Sequence, residues 1–383
     1  LNTLLLEGAN EAEANVTLTS NKSVFSVVLA DDSWLSYTIS GTIVTFKAKS
    51  KNTTGNIRTT IATITAGTGA AAKAVEVTVN QNVAAEGDAS LELSTNTVTI
   101  TPDAVAKSEV ITMISDETEF AINITDESWV KAYVDVTSKT LYFWTLSPNL
   151  NSSSRVTTAT VIAGNGANAP KQEVTITQRG LLSSEFAVGQ VIADNGSLKG
   201  GIVFWVDATN RGKAKIMSLD RENLAWSTAG SPASTGVTLS NDDGLANTTA
   251  LAALPNAAEM PALKYCMDKG SGWYWPTRSD LEQMFETYNG TKVADATEDN
   301  PNAITDFEKA NRAAWDLIVT NVGGTAMNTA AASSTGDSYW ASRETSSGTN
   351  AFYVRFGKPL AWDKANGKKS GARYIRAVRS ISK

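Results

Sequence analysis

The chain has 383 residues and a mass of 40.5 kDa, with 42% hydrophobic and 19% charged residues. That is ordinary globular composition, long enough for two to four domains at ~100–200 residues each. It contains no histidine and one cysteine, Cys266, which excludes Ser-His-Asp and Cys-His catalysis, His-ligated zinc or haem, intrachain disulfides and thiolate clusters. A net charge of −6 and a pI near 5.0 argue against nucleic acid as a partner, and no apolar run reaches the ~18 residues of a membrane span.

Charge is distributed unevenly. Residues 1–180 hold 12 basic and 18 acidic side chains, whereas residues 181–383 hold 21 of each. Within the second half, 343–383 carries 10 basic residues against Glu344 and Asp363. The first residue is leucine, so a removed leader is expected upstream, and the Thr/Ser/Asn/Ala-rich style suits an exported bacterial protein.

The amino-terminal half contains a repeat. Asp31-Asp32-Ser33-Trp34-Leu35 returns as Asp126-Glu127-Ser128-Trp129-Val130, offset by 95. Beyond a two-residue insertion the offset is 97: Val44 and Phe46 match Leu141 and Phe143, Arg58 matches Arg155, and Gln81 matches Gln178. Both copies read as β. Val44, Phe46 and Ala48 alternate with polar residues, as do Val75, Val77 and Val79, and as do Val174 and Ile176, which is the period of a half-buried strand. About 100 residues of short strands is the size of an immunoglobulin-like sandwich. Trp34 and Trp129, each followed by an apolar residue, read as core aromatics rather than sugar platforms, and Arg58 and Arg155 as residues that pin a strand.

The Asp-x-Ser-Trp motif, the Arg-led strand, the Ala-Gly-x-Gly turn and the closing Val-x-Val-x-x-Gln resemble the BACON domain. The resemblance implies two tandem β-sandwiches, at 1–83 and 84–180, of a kind found in surface and secreted proteins of Bacteroidetes. The carbohydrate binding in that family's name is an inference from neighbouring modules, and a spacer role fits as well.

After Gln178-Arg179-Gly180 the texture changes. A hairpin is expected from 200–207 and 213–219 around Asn210-Arg211-Gly212, then a polar loop over 226–248. A helix over 261–269 starts at Pro261, ends near Gly270 and buries Cys266. Ser279 and Glu282 have capping-box spacing, which predicts a second helix carrying Leu281, Met284 and Phe285 inward. A third helix over 306–320 presents Phe307, Ala310, Ala314, Leu317 and Ile318 on one face. Strands at 339–342, 351–356 and 374–381 close the chain. The acidic stretch 295–306 lacks the ordered spacing of an EF-hand and reads as a solvated loop.

Five segments of this half stand in the order of a second family: 200–207, 272–281, 339–342, 351–356 and 374–379. They resemble the DUF1566 domain and the related Fibrobacter major paralogous domain, which implies an α+β, C-type-lectin-like domain over 181–383. In that family Trp273, Pro276, Thr277 and Trp340 occupy structural positions. Calcium-lectin motifs are missing, and the cysteine pair of formylglycine-generating enzymes is not present. Asp207, Asp220, Glu222 and Glu344 offer carboxylates, but nothing sets two apart as an acid and base.

The fold expectation is therefore two all-β immunoglobulin-like sandwiches followed by a lectin-like α+β domain. The candidate ligand site is the loop after Phe356: Trp362 among Asp363, Lys364, Asn366, Lys368 and Lys369, with Arg373 beyond. An aromatic beside such groups can stack on a sugar while they take its hydroxyls. The functional expectation is a non-catalytic, cofactor-free surface protein binding a glycan or a surface protein, exported and held by a lipid anchor or secreted; the alternative is a structural or docking component that binds no sugar.

Overall fold

The computed structural model describes residues 3–9, 11–84, 90–165, 169–194, 200–229, 234–291, 305–328, 337–346, 348–356 and 366–383. The chain is predominantly β, in several sheets with a few helices, and multidomain. It forms two compact units. One comprises Leu1–Glu92, Ile114–Ala121 and Ile162–Lys171; the other comprises Leu93–Met113, Ile122–Val161 and Gln172–Lys383.

The first copy of the repeat is a two-sheet sandwich. One sheet runs in the order Thr3–Leu6, Lys73–Gln81, Arg58–Ala66, Phe25–Leu29; the other in the order Glu13–Thr17, Ile43–Ala48, Leu35–Ser40. Period-two side chains from both sheets meet in one core of Leu6, Val27, Trp34, Leu35, Val44, Phe46, Ala62, Ile64, Val77 and Val79. Val75 departs from the expected pattern. It is 51% exposed, because it lies in the end of its long strand that runs past the core.

The second copy repeats the arrangement. Phe120–Ile124, Arg155–Ala163, Lys171–Gln178 and Thr97–Ile100 form one sheet, and Val130–Asp135, Thr140–Thr145, Ile111–Ile114 and Glu92–Leu93 the other. In both copies the first strand, in chain order, of the sheet that holds the arginine pairs in parallel with its last and ends opposite glutamine, Leu6 at Gln81 and Ile100 at Gln178.

Trp34 and Trp129 are buried, 5% and 4% exposed, as expected of core aromatics. Each is covered by its arginine, whose Nε donates to the matching glutamine: Arg58 to Gln81 at 2.8 Å and Arg155 to Gln178 at 2.7 Å. A buried asparagine completes each copy. Asn52 Nδ2 donates to the carbonyls of Asn56, Gln81 and Asn82, and Asn149 Nδ2 to those of Ser153, Gln178 and Arg179. These bonds tie the end of the last strand to the turn before the arginine.

The carboxy-terminal portion holds two five-stranded sheets. The first runs Val191–Ile192, Gly201–Val206, Lys213–Ser218, Val378–Ser382, Trp273–Tyr274; the second runs Glu222–Ala225, Ala372–Ile375, Ser338–Glu344, Asn350–Arg355, Asn366–Lys368. The expected hairpin is present, with a bulge between Val203 and Trp205. The last expected strand is two strands broken at Arg376, which is fully buried and donates to the carbonyls of Ser218, Leu219 and Thr325.

Among the described residues the α-helices are α1 (Gly244–Ala252), α2 (Pro261–Met267), α3 (Arg278–Asn289) and α4 (Asp306–Asn321). Helix α1 lies partly inside the segment expected to be loop; Asp243 caps it by accepting from Ala246 N. Helix α2 buries Cys266, and burial pushes that thiol well above its ordinary value. The capping box of α3 is Thr277 with Asp280, not Ser279 with Glu282: the Thr277 hydroxyl accepts from Asp280 N, and the Asp280 carboxylate accepts from Thr277 N.

Helix α4 keeps Phe307 and Ile318 of its expected inner face but rotates Leu317 outward and polar residues inward. Phe307, Glu308, Asn311, Arg312, Trp315 and Val319 are buried, while Leu317 is 59% exposed. Asn311 Nδ2 donates to the carbonyls of Thr287 and Tyr288, at 3.0 Å each, in the last turn of α3, where helix carbonyls lack partners of their own. The polar inner stripe is thus a capping device.

The second sandwich and the carboxy-terminal portion meet within one compact unit. Phe307 of α4 sits edge-on to Tyr133, Tyr142 and Trp144, with ring centroids at 6.0, 5.5 and 5.2 Å. Lys107 Nζ lies 4.0 Å from its ring centroid. Arg211 of the hairpin pairs with Asp103 at 2.7 Å, and Asp103 also accepts from Val188 N.

Candidate functional site

The loop after Phe356 joins two antiparallel strands, Asn350 pairing with Lys368 and Phe352 with Asn366. Trp362, Asp363 and Lys364 lie outside the described residues, and Asn366 is placed as the first residue of its strand. Lys368 is exposed.

Lys369 is buried where a solvent-facing side chain was expected, and Arg373 is part-buried. Lys369 is 1% exposed, ion-paired with Glu344, and lies 4.4 Å from the ring centroid of Trp226. Glu344 also accepts from Ser234 Oγ at 2.8 Å and Thr235 N at 3.0 Å. Burial alone would raise the Glu344 carboxyl, but Lys369, Ser234 and Thr235 together hold it below its ordinary value. Arg373 packs between Tyr353 and Trp340, 3.9 and 4.6 Å from their ring centroids. The planar guanidinium is suited to such stacking. Lys369 is thus engaged by Glu344 and Trp226, and Arg373 by Tyr353 and Trp340.

The structural reading of the tryptophan motifs holds at each position. Trp273, Thr277 and Trp340 are buried, and Trp226 and Trp275 pack with centroids 4.9 Å apart. Of the carboxylates, Asp220 pairs with Lys269 and Glu344 with Lys369. The acidic stretch 295–306, expected to be a solvated loop, falls outside the described residues apart from Thr305 and Asp306 at the start of α4. Among the described residues, no three carboxylates or thiols gather as a metal site, and no helix is long and apolar enough to cross a membrane.

A groove lies elsewhere, over the first sheet of this portion. One cavity of about 310 Å³ is lined by Trp205, Asp207, Lys213, Lys215, Ser380 and Ser382 among others. A second, of about 270 Å³, shares Lys215 and Ser380 and adds Asp242, Asp243, Gly244 and Tyr274. It is not legible in the sequence, because Trp205 reads as one more apolar residue in a continuous strand; the ladder register shifts between Val203 and Trp205.

No family model matches the chain, and no curated protein matches it. Solved structures with partial likeness include the human desmocollin-1 ectodomain, at 9% identity over 52% of this chain and 43% of that one, with a TM-score of 0.26. An endo-fucoidan hydrolase of glycoside hydrolase family 107 gives 12% identity over 48% and 28%, with a TM-score of 0.26. Mouse clustered PcdhgC3 EC1-3 gives 11% over 47% and 65%, with a TM-score of 0.22. This chain thus spans less than two thirds of each, and at these TM-scores the likenesses carry no argument.

Proposed function

We propose that this chain is a non-catalytic bacterial surface protein of the glycan-binding or adhesin type. In this reading two immunoglobulin-like sandwiches of the BACON kind carry a lectin-like head of the DUF1566 kind. The protein is exported, and is lipid-anchored or secreted.

The observation that carries this reading is the seat around Phe307. Tyr133, Tyr142 and Trp144 of the second sandwich close on it. The matching positions of the first copy are Thr38, Thr45 and Lys47. The two modules share their internal Trp–Arg–Gln arrangement but not this face, so the second is adapted as a mount for the head. Aromatic edge contacts and the Arg211–Asp103 pair suit a fixed presentation more than a loose tether.

The alternative, a head that docks on another protein and binds no sugar, is favoured by the burial of Lys369, which takes one polar group away from the loop site. A glycan array probed with the full 383-residue chain, with and without calcium, separates the two. Binding to a defined glycan class supports the proposal; silence across neutral and sulfated glycans at low salt overturns it in favour of protein docking. The full chain is required, since a cut at 181 would strip the cover from Phe307.

A further inference from the structure

We infer that the groove over Trp205 is a binding site for a neutral saccharide, with one sugar ring stacked on the indole and a second unit in the adjoining cavity. The inference rests on the proposed glycan-binding function and names a site for it away from the loop after Phe356.

The bulge between Val203 and Trp205 is the first element. Val203 and Phe204 are fully buried, whereas Trp205 is only partly buried and lines the larger cavity. Bulges re-aim side chains in this way and recur beside functional sites. Trp205 packs on the core cluster that includes Phe204 and lines the cavity with the rest of its indole, and an aromatic edge or face at a cavity wall can take the C–H side of a sugar ring.

The polar lining is held in place before any ligand arrives. Lys215 Nζ is fixed by Asp280 Oδ1 at 2.7 Å and Gln283 Oε1 at 3.0 Å. The Tyr274 hydroxyl lies 3.3 Å from Ser380 Oγ. Asp207 Oδ1 accepts from Thr209 N, Thr209 Oγ1 and Asn210 N, which hold its carboxyl below the ordinary value and leave Oδ2 as an acceptor. Asp243 and Asp242 are each fixed through Oδ1, by Ala246 N and by the Ser279 hydroxyl. Carboxylates positioned through one oxygen make strong hydrogen bonds to ligand hydroxyls through the other.

Charge selects the ligand class. Asp207, Asp242 and Asp243 face the groove, and of its two lysines Lys215 is already neutralised by Asp280. Sulfated or uronic glycans are repelled by that balance. A cationic ligand would compete for the indole with Lys215 Nζ, which lies 5.4 Å from its centroid. A neutral polyhydroxylated ring meets no charge repulsion from these groups. The two adjoining cavities, each near the lower end of the ~300–1,000 Å³ range of small-molecule sites, fit a short oligosaccharide.

The test is calorimetric titration of the full chain with neutral cello-, xylo-, manno- and galacto-oligosaccharides, and with a sulfated oligosaccharide, beside Trp205→Ala and Ser382→Tyr. The second variant fills the groove from an exposed position and removes no core contact, so it stands if the first fails to fold. The expected result is binding to one neutral class that persists at high salt and weakens at least about ten-fold in both variants. Neutral-sugar binding unchanged in Ser382→Tyr and in folded Trp205→Ala overturns the groove while the glycan-binding reading survives. Preference for the sulfated sugar also overturns the groove alone. No binding by the intact chain to any of these sugars, with a silent array, overturns both.

Discussion

The Arg58 guanidinium lies 4.7 Å from the ring centroid of Trp34, and Arg155 repeats the placement over Trp129 at the same 4.7 Å. Each NH2 group also donates to a serine carbonyl and hydroxyl, Ser50 in one copy and Ser147 in the other. One side chain thereby ties three strands and a turn together. Replacing either arginine by alanine is expected to destabilise its sandwich by about 2–3 kcal/mol, from charged hydrogen bonds and a partly desolvated cation–π contact. Lysine is expected to rescue little, because it cannot reproduce the fork. Hydrogen exchange on Ile43–Ala48 or Thr140–Thr145 reads the loss copy by copy, and full rescue by lysine would refute the account.

The Glu344–Lys369 pair predicts a defined acid response. Its folded carboxyl titrates below the ordinary glutamate value of ~4.3, so its stabilising contribution is complete above that pH and is lost as pH falls through the folded value. Glu344→Gln should flatten the acid limb of the melting profile. Lys369→Met should cost about 3–5 kcal/mol by leaving a buried carboxylate unpaired, and adding Glu344→Leu should recover part of it. A double variant no more stable than Lys369→Met would show that the pairing is not what matters.

Phe307→Ala is expected to loosen the mount. Loss of a buried ring costs about 3–5 kcal/mol where the site cannot collapse, and here the three aromatic partners belong to another domain. Limited proteolysis and hydrogen exchange on Val130–Asp135 and Thr140–Thr145 should show increased opening. In the first copy Thr45→Ala, at the position matching Tyr142, should leave both readouts unchanged.

The cap of α3 separates two assignments. Thr277→Ala should cost about 1–2 kcal/mol, whereas Ser279→Ala should stay within about 0.5 kcal/mol. Thermal unfolding of the two variants compares them directly; equal losses would put the cap in the wrong place.

The sequence by itself determined the repeat, the β character of both copies and the core placement of Trp34 and Trp129. Those features follow from period-two patterning and from residues recurring at one spacing, which need no knowledge of distant chain. It also determined that α2 and α3 form near Pro261 and Arg278, since helix starts are local. Tertiary structure alone decided which face of α4 is buried, because Asn311, Arg312 and Glu308 turn inward only where α3 offers carbonyls and amides to bind. It decided that Lys369 is buried and that Arg373 is stacked, because Glu344 and Trp226 meet the one and Tyr353 and Trp340 the other from elsewhere in the chain. It decided the direction of Trp205 through a bulge that depends on strand pairing. In each case the deciding partner is remote in sequence, and a polar side chain's fate is set by whether such a partner exists.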